Sequence, residues 1–367
     1  MNPLDALLGG EKTSYVKLAV NGEALTGFSG GSIQLSMSAG ANDFDLEYVP
    51  DDDDTRSIFE GDEVELSIDP GDGLQSILTG YVDAVEDDDD PAGLRLSASG
   101  RSRTGDLLTC SPGFAPLAFG TAPRAWKNAD IEKIVGDICA PFSIDVFVSP
   151  LEVGAAFPSF SLQTGETAFD AISRAALKRG LFPYCVGGDL VLARAGSTQT
   201  RTVLERGGRV IRSSRTSSWA DRFSDYIYRA QARSTDNNFG AKASQLTSTV
   251  LDTTVNRFRP LAVQAEAHDK VDLKTRAEIE RNTRAGNGES IVCLVDGWGT
   301  DEGNAWRPNT LVRFKNKVLG VDATLLITTV RFRFGPNEAR EVELLLQRPE
   351  AFSVANYPAL TRGNSWT

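Results

Sequence analysis

Leu78-Thr79-Gly80-Tyr81-Val82, followed after an acidic stretch by Leu94-Arg95-Leu96, has a counterpart near the other end of the chain. There Ile327-Thr328-Thr329-Val330 leads to Val342-Glu343-Leu344. Each member alternates apolar and polar residues, the period of a half-buried strand, and each pair reads as a hairpin. A second correspondence accompanies it: Ile33 leads through a polar stretch to Phe44 and Tyr48, and Ile211 leads through a similar stretch to Phe223 and Tyr228. Two correspondences in the same order predict an internal duplication of a small β unit.

Around the first copy, residues 15–105 read as all β. Tyr15–Val20, Ile33–Met37, Val64–Ile68 and Leu94–Ala98 alternate, with Gly and Asp clusters between them. Asn21-Gly22 is a tight-hairpin signal, because both residue types tolerate positive φ. Strands this short and closely spaced predict an antiparallel barrel, with a second, similar barrel built from 201–235 and 290–352. Between them, residues 106–200 read as a small α/β module. Its first helix carries Ile131, Ile134, Val135, Ile138 and Cys139 at helical spacing and stops before Pro141; its second runs near Glu166–Arg179 with Gly180 as the C′ residue. Residues 236–289, with a charged helix at Val271–Arg284, read as an inserted subdomain; 1–14 is an N-terminal arm and 353–367 a C-terminal tail. The expected fold class is therefore multidomain, β-rich α+β: two similar small antiparallel β-barrels plus an α/β module and an inserted subdomain.

Composition removes many functions. The one histidine of 367 residues, His268, leaves a Ser-His-Asp triad or a two-His zinc site hard to build. Cys110, Cys139, Cys185 and Cys293 form no Cys-x-x-Cys pair and are expected to be reduced. No apolar run approaches the ~20 residues that span a bilayer, and the N-terminus lacks a signal-peptide pattern. Net charge is −12, but residues 1–100 alone carry −18 and the remainder +6, without the basic stripe of a nucleic-acid binder.

Asp51–Asp54 and Asp87–Asp90 offer carboxylates to a hard cation, yet neither has the Asp-x-Asp-x-Asp-Gly calcium-loop pattern, so both are read as solvated loops, the second as a hairpin turn. Trp126, Trp298 and Trp306 are read as core or interface anchors, and His268 as a surface histidine. Leu162–Ile172 resembles the opening of a LysM peptidoglycan-binding module through Gly165-Glu166-Thr167. Helix capping already accounts for those residues: Thr caps, Gly turns, and Glu favours the helix dipole. No catalytic, cofactor-binding or metal-ligating residue is assigned.

Several collinear segments resemble Mu-like phage baseplate hub proteins. They are Trp126-Lys127-Asn128, Asp137–Phe142, Ala155–Leu162, Gly165–Ala171, Asp221–Tyr226, Arg257–Pro260, Asp296-Gly297-Trp298 and Trp306-Arg307-Pro308-Asn309. The resemblance implies a structural hub in the virion tail baseplate of a contractile phage tail or a tailocin, assembled in the bacterial host cytoplasm and lacking enzymatic activity. It also implies a homotrimer whose paired barrels make a pseudo-sixfold ring between a sixfold tail tube and a threefold spike, through which cargo passes. Expected partners are tail tube or tube-initiator proteins, the central spike protein and other baseplate proteins, with transient contact to the tape measure protein and DNA in the lumen. The alternative is a peptidoglycan-binding or cell-wall-degrading tail protein that uses the LysM-like segment.

Overall fold

The computed structural model describes residues 15–25, 28–48, 58–90, 93–114, 122–148, 154–230, 246–265, 270–335 and 339–352. The first β unit comprises β1 (Val16–Val20), β2 (Glu23–Leu25), β3 (Phe28–Ser36), β4 (Asp43–Tyr48), β5 (Glu63–Ile68), β6 (Gln75–Asp90) and β7 (Gly93–Ser102). Asn21 and Gly22 take φ of 50° and 85° and Val20 pairs with Glu23, so the tight hairpin expected there forms. The α/β module follows, with α1 (Gly105–Thr109), β8 (Ala125–Ala129), α2 (Ile131–Cys139), β9 (Val146–Val148), β10 (Phe157–Ser161), α3 (Ala168–Leu177), β11 (Phe182–Val186) and β12 (Asp189–Ala193). All five apolar positions read on α2 are buried.

The second β unit contains β13 (Thr198–Glu205) and β14 (Val210–Ser217). An insertion then forms β15 (Asp225–Ala230), β16 (Leu246–Leu251), β17 (Pro260–Gln264) and α4 (Lys270–Asn287). The unit resumes with β18 (Glu289–Asp296), β19 (Thr310–Asn316), β20 (Val321–Phe334) and β21 (Glu341–Gln347).

The two β units share a topology. The first runs β3-β4-β7-β6-β5-β1 and the second β14-β18-β21-β20-β19-β13, the same order when strands are matched along the chain. The difference is direction: β1 pairs with β5 antiparallel, whereas β13 pairs with β19 parallel. Bulges repeat too. β6 shifts register against β7 between Val82 and Ala84, and β20 shifts against β21 between Ile327 and Thr329. β3 shifts against β4 between Phe28 and Gly30, and β14 shifts against β18 between Val210 and Arg212. A bulge bends its strand, so each long strand serves one neighbour before the bend and another after it.

Neither unit closes into a ring of strands among the described residues, contrary to the two barrels expected. The units are joined instead as one 13-stranded sheet, because the distal half of β20 pairs with β3. Their buried residues form one apolar cluster that runs from Leu18, Phe44 and Leu66 to Trp306, Phe314 and Phe332. The boundary read at residue 235 also moves. β15 pairs with β16 and β17, and Tyr226 and Tyr228 pack against Leu273 and Ala277 of α4 in a separate core. Phe223 and Tyr228 therefore sit with the insertion, and the structural counterpart of β4 is β18. Ile211 is half exposed within the β14 bulge, whereas Ile33 is fully buried.

Candidate functional site

The joint between the two β units carries apolar packing on one face and polar contacts on the other. Across it Thr329 lies opposite Ser36, Arg331 opposite Gln34, Phe332 opposite Ile33, and Phe334 opposite Gly31. The inward pair, Phe332 and Ile33, has no solvent exposure. Trp298 stands edge-on to Phe332, with centroids 6.1 Å apart, and its Nε1 donates to the Glu341 carbonyl at 3.1 Å. On the other face Arg331 Nε donates to Gln34 Oε1 at 3.1 Å, and Gln34 Nε2 donates to Asp43 Oδ2 at 3.0 Å. Burial pushes the Asp43 carboxyl above its ordinary range, and the Gln34 bond opposes that rise.

A second contact reinforces the joint. The segment Gly297–Trp306 of the second unit covers the Asp69–Gln75 turn of the first: Gln75 Nε2 donates to the Gly303 carbonyl at 2.9 Å, and Ala305 N donates to Gln75 Oε1 at 3.0 Å. Arg340 donates to the Asp69 carbonyl at 2.5 Å while its guanidinium lies 3.7 Å from the Tyr15 ring centroid. Glu302 anchors the segment to β13. It accepts from Thr200 Oγ1 at 2.7 Å and from the Arg201 backbone N–H, and these bonds hold its carboxyl down at about 2. Asn309, at φ 59°, staples the α/β module to the second unit: its Oδ1 accepts from Gly196 N at 2.6 Å, and its Nδ2 donates to the Arg194 carbonyl and to Ser197 Oγ.

Sequence reading missed Glu302, Arg331 and Arg340. The signal available was the pair of segments Asp296-Gly297-Trp298 and Trp306-Arg307-Pro308-Asn309, which flank and include this contact. The tryptophans read as anchors are buried: Trp126 is 6% exposed, Trp298 3% and Trp306 0%, so they offer no ligand platform.

The LysM-like segment is engaged internally. Thr167 and Asp170 form a reciprocal capping box at the start of α3, which holds the Asp170 carboxyl below its usual range. Glu166 forms an ion pair with Arg174 at 2.9 Å, and Arg174 stacks 4.3 Å over the Phe160 ring.

Asp87–Asp90 is not a turn but the end of β6, paired with Gly93–Leu96 of β7. Asp51–Asp54, His268, the N-terminal arm and the C-terminal tail lie outside the described residues. All four cysteines are free; burial pushes the thiols of Cys139 and Cys293 up to about 12. Among the described residues, no three His, Cys, Asp or Glu side chains gather as a metal site, and no helix is long and apolar enough to cross a membrane. What this geometry performs is strand pairing and docking between β units.

Comparison with known proteins bears on which machine uses such a joint. Residues 15–102 match the family described as Mu phage baseplate assembly protein GpP-like, N-terminal. Residues 104–194 match baseplate hub protein gp44-like, second domain, and residues 270–355 match Mu phage baseplate assembly protein GpP, fourth domain. The chain is 29% identical over 356 residues to baseplate hub protein gp44 of Escherichia phage Mu, covering 93% of this chain and 90% of that protein. The 43 kDa tail protein of prophage MuSo2 from Shewanella oneidensis superposes with a TM-score of 0.78 at 27% identity, over 92% of this chain and 99% of that one. A tail protein from Neisseria meningitidis shares the fold, with a TM-score of 0.75 at 22% identity over 92% and 98% of the two chains. With its β units and α/β module matched in order and nearly its whole length aligned to a phage hub, the chain belongs to the Mu-like phage baseplate hub family.

Proposed function

We propose that this hub protein assembles as a homotrimeric ring that adapts a sixfold tail tube to a threefold central spike and lets cargo pass when the spike leaves. The observation that carries the reading is the repeated strand order within one chain. Three chains with two like units each present six similar positions around an axis while keeping true threefold symmetry. Each β unit then contributes one segment of the ring wall, and the α/β module and the insertion decorate it. Neighbours in this reading are tube or tube-initiator proteins on one face and the spike and other baseplate proteins on the other, with the tape measure protein and DNA passing within. The role is binding geometry without catalysis, in the tail baseplate of a phage virion.

The test is light scattering coupled to size-exclusion chromatography, with negative-stain imaging. A mass three times the 39.6 kDa of the chain and a ring-shaped projection are expected. A stable monomer at high concentration overturns the reading. The peptidoglycan alternative gains no support from α3, since the Gly165-Glu166-Thr167 side chains serve the helix cap and the Arg174 pair.

A further inference from the structure

We propose that the ring closes through a specific strand pairing between copies of this chain: the acidic distal half of β6 in one copy pairs antiparallel with β14 of the next. This rests on the trimeric-ring reading and names its interface.

The inference starts from the internal repeat. Within one chain the joint uses the distal half of β20 and the outer edge of β3. By matched strand order and matched bulges, β6 corresponds to β20 and β14 corresponds to β3. Among the described residues those counterpart edges carry no further strand: β14 pairs with β18, and beyond its bulge β6 pairs with β7. Each unit therefore has one edge used inside the chain and one equivalent edge that no other described strand occupies. Because a joint always links unlike edges, it is heterologous, the kind of contact that closes a ring when its repeated rotation closes.

The register follows as well. Aligning the bulges sets Ala84 at the place of Thr329 and Asp88 at that of Arg333; aligning β3 with β14 sets Thr216 at the place of Gln34 and Ser214 at that of Ser32. Transferring the observed pairing places Glu86 opposite Thr216, Asp87 opposite Arg215 and Asp88 opposite Ser214, and continuing it past the last observed pair would set Asp90 opposite Arg212. An acidic strand thus meets one whose charged residues, Arg212 and Arg215, are both basic, Arg215 being already paired with Glu289 of β18. Inside the chain the sign is reversed: Arg331 and Arg333 on β20 face β3, behind which β4 carries Asp43, Asp45 and Glu47.

This reversal orders the units. A first unit offering β6 to the β3 edge of another first unit sets acid against acid, and β20 offered to β14 sets Arg against Arg. Only alternating first and second units match charge at every joint, which is specificity through repulsion as well as attraction. The acidic run also keeps the open β6 edge from pairing with its own kind in the free chain.

An independent observation concerns the turn that accompanies each joint. In the first unit the Asp69–Gln75 turn is covered by Gly297–Trp306. Its counterpart in the second unit, Lys317–Gly320, is uncovered, and Val318 there is 72% exposed. The Leu319 carbonyl of that turn accepts from Arg215 of β14, so the exposed valine borders the proposed edge. A neighbouring first unit docked on β14 would cover it.

The test is a pair of engineered cysteines in the full chain, Asp88→Cys with Ser214→Cys. The Met37 N–H donates to the Thr328 carbonyl, which makes Ser32 and Arg333 a non-hydrogen-bonded pair, and the cysteines occupy its counterpart, where Cα atoms approach to about 4.5 Å and a disulfide fits. Mild oxidation is expected to produce covalent dimers and trimers between chains, while each single variant, and a pair shifted by two residues (Asp88→Cys with Arg212→Cys), gives far less. In parallel, Glu86→Lys with Asp88→Lys is expected to weaken trimer formation about tenfold or more, and adding Arg212→Glu to restore it. A wild-type trimer that resists cross-linking and ignores the charge reversal overturns this joint while leaving the ring reading intact. A wild-type monomer overturns both.

Discussion

Phe332→Ala is expected to separate the core of the intra-chain joint from its surface. Phe332 is fully buried on β20, opposite the equally buried Ile33 of β3, with Trp298 edge-on at 6.1 Å. Truncating a buried Phe costs about 3–5 kcal/mol through lost transfer energy and the cavity left behind. The edge-to-face pair with Trp298 places the expectation in the upper half of that range. For a folding unit of roughly 150–250 residues each kcal/mol moves the melting temperature by about 2–4 °C, so a fall of roughly 8–20 °C is expected. The assay is heat and urea unfolding of the dilute chain followed by tryptophan fluorescence, which Trp298 and Trp306 report from within the same core. Val318→Ala is the control: its side chain is 72% exposed, and removing it should change stability of the single chain by no more than ~0.5 kcal/mol. A Phe332→Ala loss below about 1 kcal/mol, or one equal to that of Val318→Ala, would refute the claim that β20 and β3 bind the two units into one core.

Three further outcomes are expected. Glu302, with its folded-state pKa lowered to about 2 from 4.5, contributes stability that is present above pH 4.5 and lost as pH falls toward 2. Acid titration of Glu302→Gln should therefore show a flatter stability profile across that window, with a neutral-pH cost of at most about 1 kcal/mol because the side chain is exposed; an unchanged acid limb would contradict the assignment. Asn309→Ala leaves the Gly196 N–H and Tyr184 hydroxyl short of a partner and places Ala at φ 59°, so a loss of about 2–4 kcal/mol is expected by denaturant titration, and a neutral substitution would show that the staple is dispensable. Thr167→Ala should cost about 1 kcal/mol through loss of the cap on α3 and leave retention on insoluble peptidoglycan unchanged; retention that disappears with this variant would revive the glycan-binding alternative.

Much of the local structure was legible in the sequence because local chemistry determines it. Asn21-Gly22 tolerates the positive φ that its hairpin needs, and the spacing of Ile131, Ile134, Val135, Ile138 and Cys139 defines the buried face of α2. The hairpins around Leu78 and Ile327 matched for the same reason: each copy must alternate and bend at the same place. The other half of the repeat was misread. Phe223 and Tyr228 mimic the spacing of Phe44 and Tyr48, yet they face α4 in the insertion, and the counterpart of β4 begins at Glu289. Period-2 alternation marks a strand without naming its partner, so a long insertion between paired strands shifts the correspondence without leaving a local trace.

The sequence by itself determined that this chain is a β-rich protein with a duplicated unit, an intervening α/β module and a segregation of acid from base, all properties of short-range pattern and composition. Tertiary structure alone decided that the β units join through β20 and β3 into one sheet instead of closing as separate barrels among the described residues. It also turned Asp87–Asp90 from a solvated loop into the end of a strand. The physical reason is that every strand presents donors and acceptors on both edges. Their occupation depends on bulges, register and the position of residues hundreds of places away, and those relations exist only once the chain has folded.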